Sequence, residues 1–402
     1  MLDAYIYDGL RTPFGRHGGV LASVRPDDLL AEVIRELVQR NGFEASLYED
    51  VVIGNTNQAG EDARNVARHA GLLAGLPQSV AGITVNRLCG SGLAATLDAA
   101  RMVTVGEGEL IIAGGTESMS RAPYVMAKAE KAFSREMTVF DSTIGARFPN
   151  PKVLKQFGAD TMPQTAQNVA HDLGISREDA DAFATRSQQR YEVAREQGFY
   201  QQEVLPVTVP QGGKATPLRV ADDEHPRPGT CVDTLRQLPA IVDGGIITAG
   251  NASGINDGAA AVIVGSRRAG VAAGIAPRAR VLSGAVAGVA PRVMGLGPVH
   301  ACNKALARAG LALAQMDVIE INEAFAAQVL GCCKQLGLAG EDERLNPNGG
   351  AIAVGHPLGA SGARLVLTAM RQLERTRGRY ALLSLCIGVG QGVAMVLERV
   401  DS

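Results

Sequence analysis

Asp317-Val318-Ile319-Glu320-Ile321-Asn322 repeats the pattern of Asp50-Val51-Val52-Ile53-Gly54-Asn55, which stands 267 residues earlier. Each has an acidic start, an apolar strand-like run and a closing asparagine. The same displacement carries Cys89 onto His356 and Gly92 onto Gly359. An apolar helical stretch ended by glycine lies before each run: Leu30 to Asn41 before Gly42, and Val299 to Ala309 before Gly310. Self-similarity at a fixed distance marks a repeated architecture. The fold expected is therefore α/β, built from two similar halves packed against each other. Cys89 and His356 then lie at strand-to-helix turns near the join, where ligand sites of α/β folds gather.

Working outward, Ala4 to Tyr7 reads as a strand, followed by a turn at Arg11-Thr12-Pro13. Leu29 to Gln39 has helical spacing, and Asn41-Gly42 is expected to close it in a left-handed cap. Asp50 to Gly54, Val80 to Val85 and Leu110 to Ala113 read as strands, and Ser91 to Val105 as a helix. Residues 120–245 are richer in charge and in helix formers. Ser176 caps a helix whose first turn holds Glu178 and Asp179 and which runs to about Glu196, before Gly198. The expected division is 1–120 with 246–272 as the first half, 121–245 as an inserted lobe, and 273–402 as the second half.

Bulk properties exclude several classes. The net charge of −2 supplies no basic field for nucleic acid. No run of 18 apolar residues exists to span a membrane. The start, Met-Leu-Asp-Ala-Tyr-Ile-Tyr-Asp, lacks the basic and apolar regions of a signal peptide, so a cytoplasmic location is expected. The six cysteines are too few for a disulfide scaffold and contain no CxxC pair, so no metal site is expected.

The chemistry concentrates in glycine-rich turns. Cys89 precedes Gly90-Ser91-Gly92, which permits a sharp turn and then a helix start. That helix dipole and a nearby histidine would favour the thiolate. Of six histidines only His356 lies in an uncharged, glycine-rich stretch. It is the candidate base for the Cys89 proton. Cys386 follows the apolar strand Ala381 to Leu385 and leads into Ile387-Gly388-Val389-Gly390-Gln391-Gly392, a loop able to present bare N–H groups to an oxyanion. That glycine string is not a dinucleotide fingerprint. Asn322 ends another strand, placed to hold a water or a substrate oxygen, or simply to serve as a turn residue. Cys231, Cys302, Cys332 and Cys333 lack such turns and read as small apolar fillers.

These stretches resemble the thiolase family. The resemblance rests on Asn86 to Gly92, Gly114-Gly115-Thr116-Glu117-Ser118-Met119-Ser120, Asn251-Ala252-Ser253-Gly254, Asn322-Glu323-Ala324-Phe325, Gly355-His356-Pro357 and Cys386 to Gly392, in family order along nearly the whole chain. It implies a duplicated α/β/α/β/α fold with a loop domain inserted in the first half. It implies acyl transfer between a 3-oxoacyl-CoA and CoA, or the reverse Claisen condensation, with CoA thioesters as substrates and no bound cofactor. By the same resemblance Cys89 is acylated, His356 activates it, and Cys386 moves the proton at the substrate α-carbon or departing thiol. One oxyanion hole combines His356 with a water held by Asn322. The other uses the N–H groups of Cys89 and Gly388. Ser253, Ala324 and Phe325 fall near the pantetheine arm, and Arg227 near the nucleotide end. Family members are homotetramers or homodimers, and residues 121–137 are a candidate contact segment.

Ser142 to Pro151 resembles the 3-oxoadipyl-CoA branch, although Ala146 stands where an aromatic is usual. Thr161, before Met162, replaces the histidine of acetoacetyl-CoA thiolases. Both features favour a longer or dicarboxylic acyl chain. Arg147 would pair with a distal carboxylate, or serve in a surface ion pair. A decarboxylating ketoacyl synthase shares the duplicated fold but uses two histidines, where this chain has Cys386. An inactive acyl-CoA-binding protein would be free to lose Cys89, His356 or Cys386, and all three are present.

Overall fold

In the computed structural model, residues 1–400 apart from 63 and 214 are described. The elements that position the site are β1 (Ala4–Arg11), α1 (Pro26–Arg40), β2 (Asp50–Gly54), α2 (Val66–Ala74), β3 (Ile83–Val85), α3 (Ser91–Val105) and β4 (Leu110–Ser118). Within the insertion come α4 (Met162–Leu173) and α5 (Arg177–Glu196). Then follow β5 (Asn256–Gly265), β6 (Ala279–Gly288), α6 (Gly297–Ala309), β7 (Val318–Ile321), α7 (Ala326–Leu336), α8 (Leu358–Thr376), β8 (Tyr380–Ile387) and β9 (Gln391–Arg399).

The strands form one mixed sheet in the order β7-β8-β9-β6-β1-β5-β4-β2-β3, with Gly15–Arg16 paired to β5. The duplication is visible in this order. Outward from the centre, β1-β5-β4-β2-β3 is matched by β6-β9-β8-β7, and a parallel bridge from Ile319 to Leu345 stands where β3 would be. The halves meet where Ala4–Ile6 pairs antiparallel with Ala279–Val281.

Alternation along the strands sorts the side chains into layers, because successive residues face opposite sides. Ile111 and Ala113 of β4 join the central core with α3 and α8, while Leu110 and Ile112 face α1 and α2. Likewise Leu383 and Leu385 of β8 face the centre, and Leu382 faces the core containing α6 and α7. Helices α3 and α8 therefore lie in the middle, covered on both sides, and 14 of the 19 residues of α8 are buried. This is the five-layered α/β/α/β/α arrangement.

The two central helices cross at their first turns because glycines stand there. A methyl group at Gly92 would come within 2.5 Å of the Gly359 carbonyl oxygen, and one at Gly359 within 2.4 Å of the Thr116 oxygen. Gly92→Ala is expected to destabilise the chain by about 1–3 kcal/mol, although alanine is the better helix former by about 1 kcal/mol. A urea titration checks this. An unchanged midpoint would show that the helices do not need this close approach.

One local reading differs from the structure. Helix α1 ends at Asn41 in extended backbone (φ −100°), without a left-handed cap, and the Asn41 side chain instead bonds the Leu37 carbonyl and Asp8. The equivalent helix α6 does end in a left-handed Gly310 (φ 67°). The insertion's buried residues are also shared out among the cores of the halves. Val169 and Phe183 join the core of the second half, and Val207 and Val209 that of the first. Ser176 caps α5 as expected, reciprocally with Asp179.

Candidate active site

The nucleophile turn is held by its own side chains. Leu88 has φ +44°, a conformation an L-residue occupies only under constraint. Asn86 Oδ1 accepts the Leu88 N–H at 2.9 Å, and Ser91 Oγ accepts the Arg87 N–H at 2.8 Å while donating to the Leu88 carbonyl at 2.6 Å. Cys89 is thereby set, half-buried, at the head of α3. Burial pushes its thiol above the usual range, opposed by the Gly388 N–H and its own N–H, with Glu117 adding to the rise. The thiolate expected from the helix dipole is therefore not the resting form: desolvation outweighs the dipole.

His356 sits at the corresponding head of α8, buried. Its N–H donates to Asn256 Oδ1 at 2.9 Å. Ser361 Oγ lies 2.6 Å from Nδ1 and donates to the Pro357 carbonyl at 2.9 Å. With its hydrogen so committed, Ser361 accepts from Nδ1–H, leaving the lone pair on Nε2. That nitrogen faces Asn322 Nδ2 at 3.4 Å. Burial, reinforced by Arg364, lowers the His356 pKa to about 3. At neutral pH the ring is an uncharged base.

Asn322 follows β7 with its N–H on the Ser384 carbonyl, and its buried Oδ1 has no partner among the described residues. Its open acceptor suits a water between it and a substrate oxygen. Cys386 is buried near the end of β8. Its thiol is pushed up by burial first and by Cys89 second, so the two sulfurs share one site. Gly388 lies over the nucleophile turn: a methyl group on it would meet Leu88 at 3.4 Å and the Met162 sulfur at 3.8 Å.

The outer residues divide. Ser253 donates its N–H to the Ala324 carbonyl at 2.9 Å, Ala252 bridges Phe325, and Ala324, Phe325 and Cys386 share one apolar cluster with Ala166 and Ala170 of α4. Arg147 reaches the Thr56 carbonyl (3.3 Å) and Asn57 Oδ1 (3.5 Å), in the loop after β2 that also receives Asn86. Arg227 is exposed. Its N–H donates to Gln188 and its carbonyl accepts from Thr230, and neighbouring His225 packs on Gly254. Cys302, Cys332 and Cys333 are buried as expected, whereas Cys231 is exposed and fills nothing. Sequence reasoning gave no role to Ser361, Asn256 or Glu117. Ser361 and Glu117 lay inside quoted or adjoining motifs, but their partners are set by the fold. Among the described residues, no group of His, Cys, Asp and Glu is arranged to hold a metal, and no helix is long and apolar enough to cross a membrane.

Comparison with known proteins agrees with this fold. The family model for the thiolase N-terminal domain matches residues 4–268, and that for the thiolase C-terminal domain matches residues 275–399. The chain is 58% identical over 402 residues to a 3-oxoadipyl-CoA/3-oxo-5,6-dehydrosuberyl-CoA thiolase of Escherichia coli, covering all of both chains. It is 56% identical, again over the full length of both, to a beta-ketoadipyl-CoA thiolase of Acinetobacter baylyi. The human mitochondrial 3-ketoacyl-CoA thiolase superimposes with a TM-score of 0.91 at 37% identity, with 99% of each chain covered. With its two halves, its paired sulfurs and its neutral histidine, the chain belongs to the thiolase family of acyltransferases.

Proposed function

We propose that the protein cleaves 3-oxoadipyl-CoA with CoA, giving acetyl-CoA and succinyl-CoA, through a succinyl thioester on Cys89. The observation that carries this reading is the shared site of Cys89 and Cys386, one sulfur beside the Gly388 N–H and the other raised by the first. The full-length likeness to relatives named for this substrate supports the acyl chain.

The chemistry follows from the resting protonation states. Cys89 Sγ attacks the 3-oxo carbonyl as its proton passes to His356 Nε2. The oxyanion is received by the N–H groups of Cys89 and Gly388. The bond between C2 and C3 breaks, leaving succinyl on Cys89 and an acetyl-CoA enolate. The enolate oxygen is held by protonated His356 and a water on Asn322. Cys386, a thiol at rest because burial raises it, protonates the enolate carbon. Its thiolate then takes the proton of an incoming CoA thiol, which attacks the thioester. Succinyl-CoA leaves and His356 returns the proton to Cys89.

Ser253, Ala324 and Phe325 flank the pantetheine arm, Met162 borders the acyl chain, and Arg227 meets the nucleotide end. Residues 121–245 form the inserted domain between a first half of 1–120 with 246–272 and a second half of 273–402. The protein is a cytoplasmic homotetramer or homodimer. Exposed Tyr124, Met126, Phe133 and Met137 support contacts through the insertion.

Arg147 reads the distal carboxylate. Its two long contacts are to neutral oxygens, and it makes no ion pair among the described residues. The test compares acetoacetyl-CoA, a medium-chain 3-oxoacyl-CoA and 3-oxoadipyl-CoA. The expected result is the highest kcat/KM for 3-oxoadipyl-CoA, with Arg147→Met costing that substrate alone about 10- to 100-fold, the loss of one charge-assisted pair. Equal rates for all three would sink the substrate assignment, and a uniform loss in the variant would sink the role of Arg147.

A further inference from the structure

The strand registers show a second buried acid at the position that Cys386 occupies in the other half. Val51 of β2 lies opposite Ile112 of β4, and Val318 of β7 opposite Ala381 of β8. Five residues beyond Ile112 stands Glu117, and five beyond Ala381 stands Cys386. Both are paired on their other side with glycine, Glu117 with Gly258 and Cys386 with Gly392. Cys386 reaches towards Cys89 at the head of α3. By the same symmetry Glu117 reaches the head of α8, which carries His356.

Glu117 is 2% exposed, yet no cation pairs with it among the described residues. Its carboxylate instead gathers four donors. Oε2 accepts the N–H of Gly359 at 2.9 Å and of Thr56 at 3.0 Å, while Oε1 accepts the N–H of Asn57 at 3.2 Å and Asn55 Nδ2 at 3.4 Å. Gly359 belongs to the first turn of α8, three residues after His356. Thr56 and Asn57 belong to the loop that also anchors Asn86 of the nucleophile turn, through the Thr56 carbonyl. One carboxylate thus ties together the loop behind Cys89 and the helix head behind His356.

We propose that Glu117 is a positioning residue for the acyl-transfer reaction, its anionic carboxylate fixing the His356 turn against the Cys89 turn. This rests on the roles given above to Cys89 and His356. A solvent-facing carboxylate titrates well below neutrality, whereas burial brings this one towards it. Burial raises Glu117 to about 7, the donors of Thr56 and Asn57 opposing the rise and Asp62 adding to it. The other titratable groups around it are the Cys89 thiol on the nucleophile turn, neutral His356 on α8 and Asp257 on β5, which is engaged by Ser120. Arg147 lies beyond the Thr56 and Asn57 loop, bonded to the Thr56 carbonyl and Asn57 Oδ1. Protonation of Glu117 removes acceptor strength from the backbone N–H groups it holds. Alignment, and with it the rate, is expected to rise as pH rises through about 7.

The test is single-turnover succinylation of Cys89 by succinyl-CoA in the full chain, followed by intact mass between about pH 5.5 and 9. Wild type, Glu117→Gln and Glu117→Asp are compared, with thermal melting of each. Glu117→Gln is expected to take up the succinyl group roughly 10- to 100-fold more slowly above pH 7, with the succinyl-CoA concentration for half-maximal rate unchanged. Its profile loses the ascending limb near pH 7, and Glu117→Asp restores the limb and part of the rate. A glutamine variant with the wild-type rate and limb overturns the proposal. So does a rate that falls only in proportion to the folded fraction while the limb persists. Wild-type protein that takes up no succinyl group would instead refute the Cys89 assignment, and the role of Glu117 would fall with it.

Discussion

Cys89→Ala is expected to lower kcat by about 10⁴- to 10⁶-fold and to abolish the acyl adduct, with the protein still folded. The size follows from the nucleophile, base and oxyanion donors acting as a unit, so that removing one disables the others. Alanine leaves the turn intact, because Asn86 and Ser91 rather than the thiol hold Leu88 at φ +44°. The wild-type chain mixed briefly with 3-oxoadipyl-CoA, without free CoA, carries a succinyl group that later CoA removes. Intact mass and peptide mapping check both statements. Turnover retained by the alanine variant, or an adduct on another residue, would overturn the assignment.

His356→Ala is expected to slow acylation by about 10³- to 10⁴-fold, the range for loss of a positioned base. The pH dependence distinguishes this loss from misfolding. In the mechanism proposed, the thiol of the wild-type chain gives its proton to a neutral imidazole, whose pKa near 3 keeps it a base at every pH of an ordinary assay. Without that base only the Cys89 thiolate reacts. Burial raises the thiol above its usual value, so thiolate is scarce at neutral pH and grows tenfold per unit. The residual rate of the variant therefore climbs with a slope of about 1 in log rate against pH. Stopped-flow acylation between neutral and alkaline pH measures it. A flat profile would show that another group accepts the proton.

Much of the architecture was legible as residue patterns. The 267-residue displacement placed Cys89 and His356 at equivalent turns, since strand-turn-helix units need glycine and apolar runs at fixed local spacings. Helix α3 and strand β2 occupy the residues read for them. Non-local relations were not legible. The same displacement pairs Glu117 with Ser384, and only the strand registers, shifted by two residues between β4 and β8, pair it with Cys386. The Asn41-Gly42 cap failed because Asn41 found Asp8, a partner 33 residues away.

Local chemistry along the chain thus determined which residues are the candidates for reaction and at which turn each stands. Turn residues, apolar periodicity and the repeat are carried by neighbours in sequence. Tertiary structure alone decided their protonation states and alignment. Desolvation depends on what both halves bury together: it turned the expected Cys89 thiolate into a resting thiol, held His356 neutral, and left Glu117 near its titration point. Those three settings arise where α3 and α8 cross, and no contiguous stretch of sequence contains that crossing.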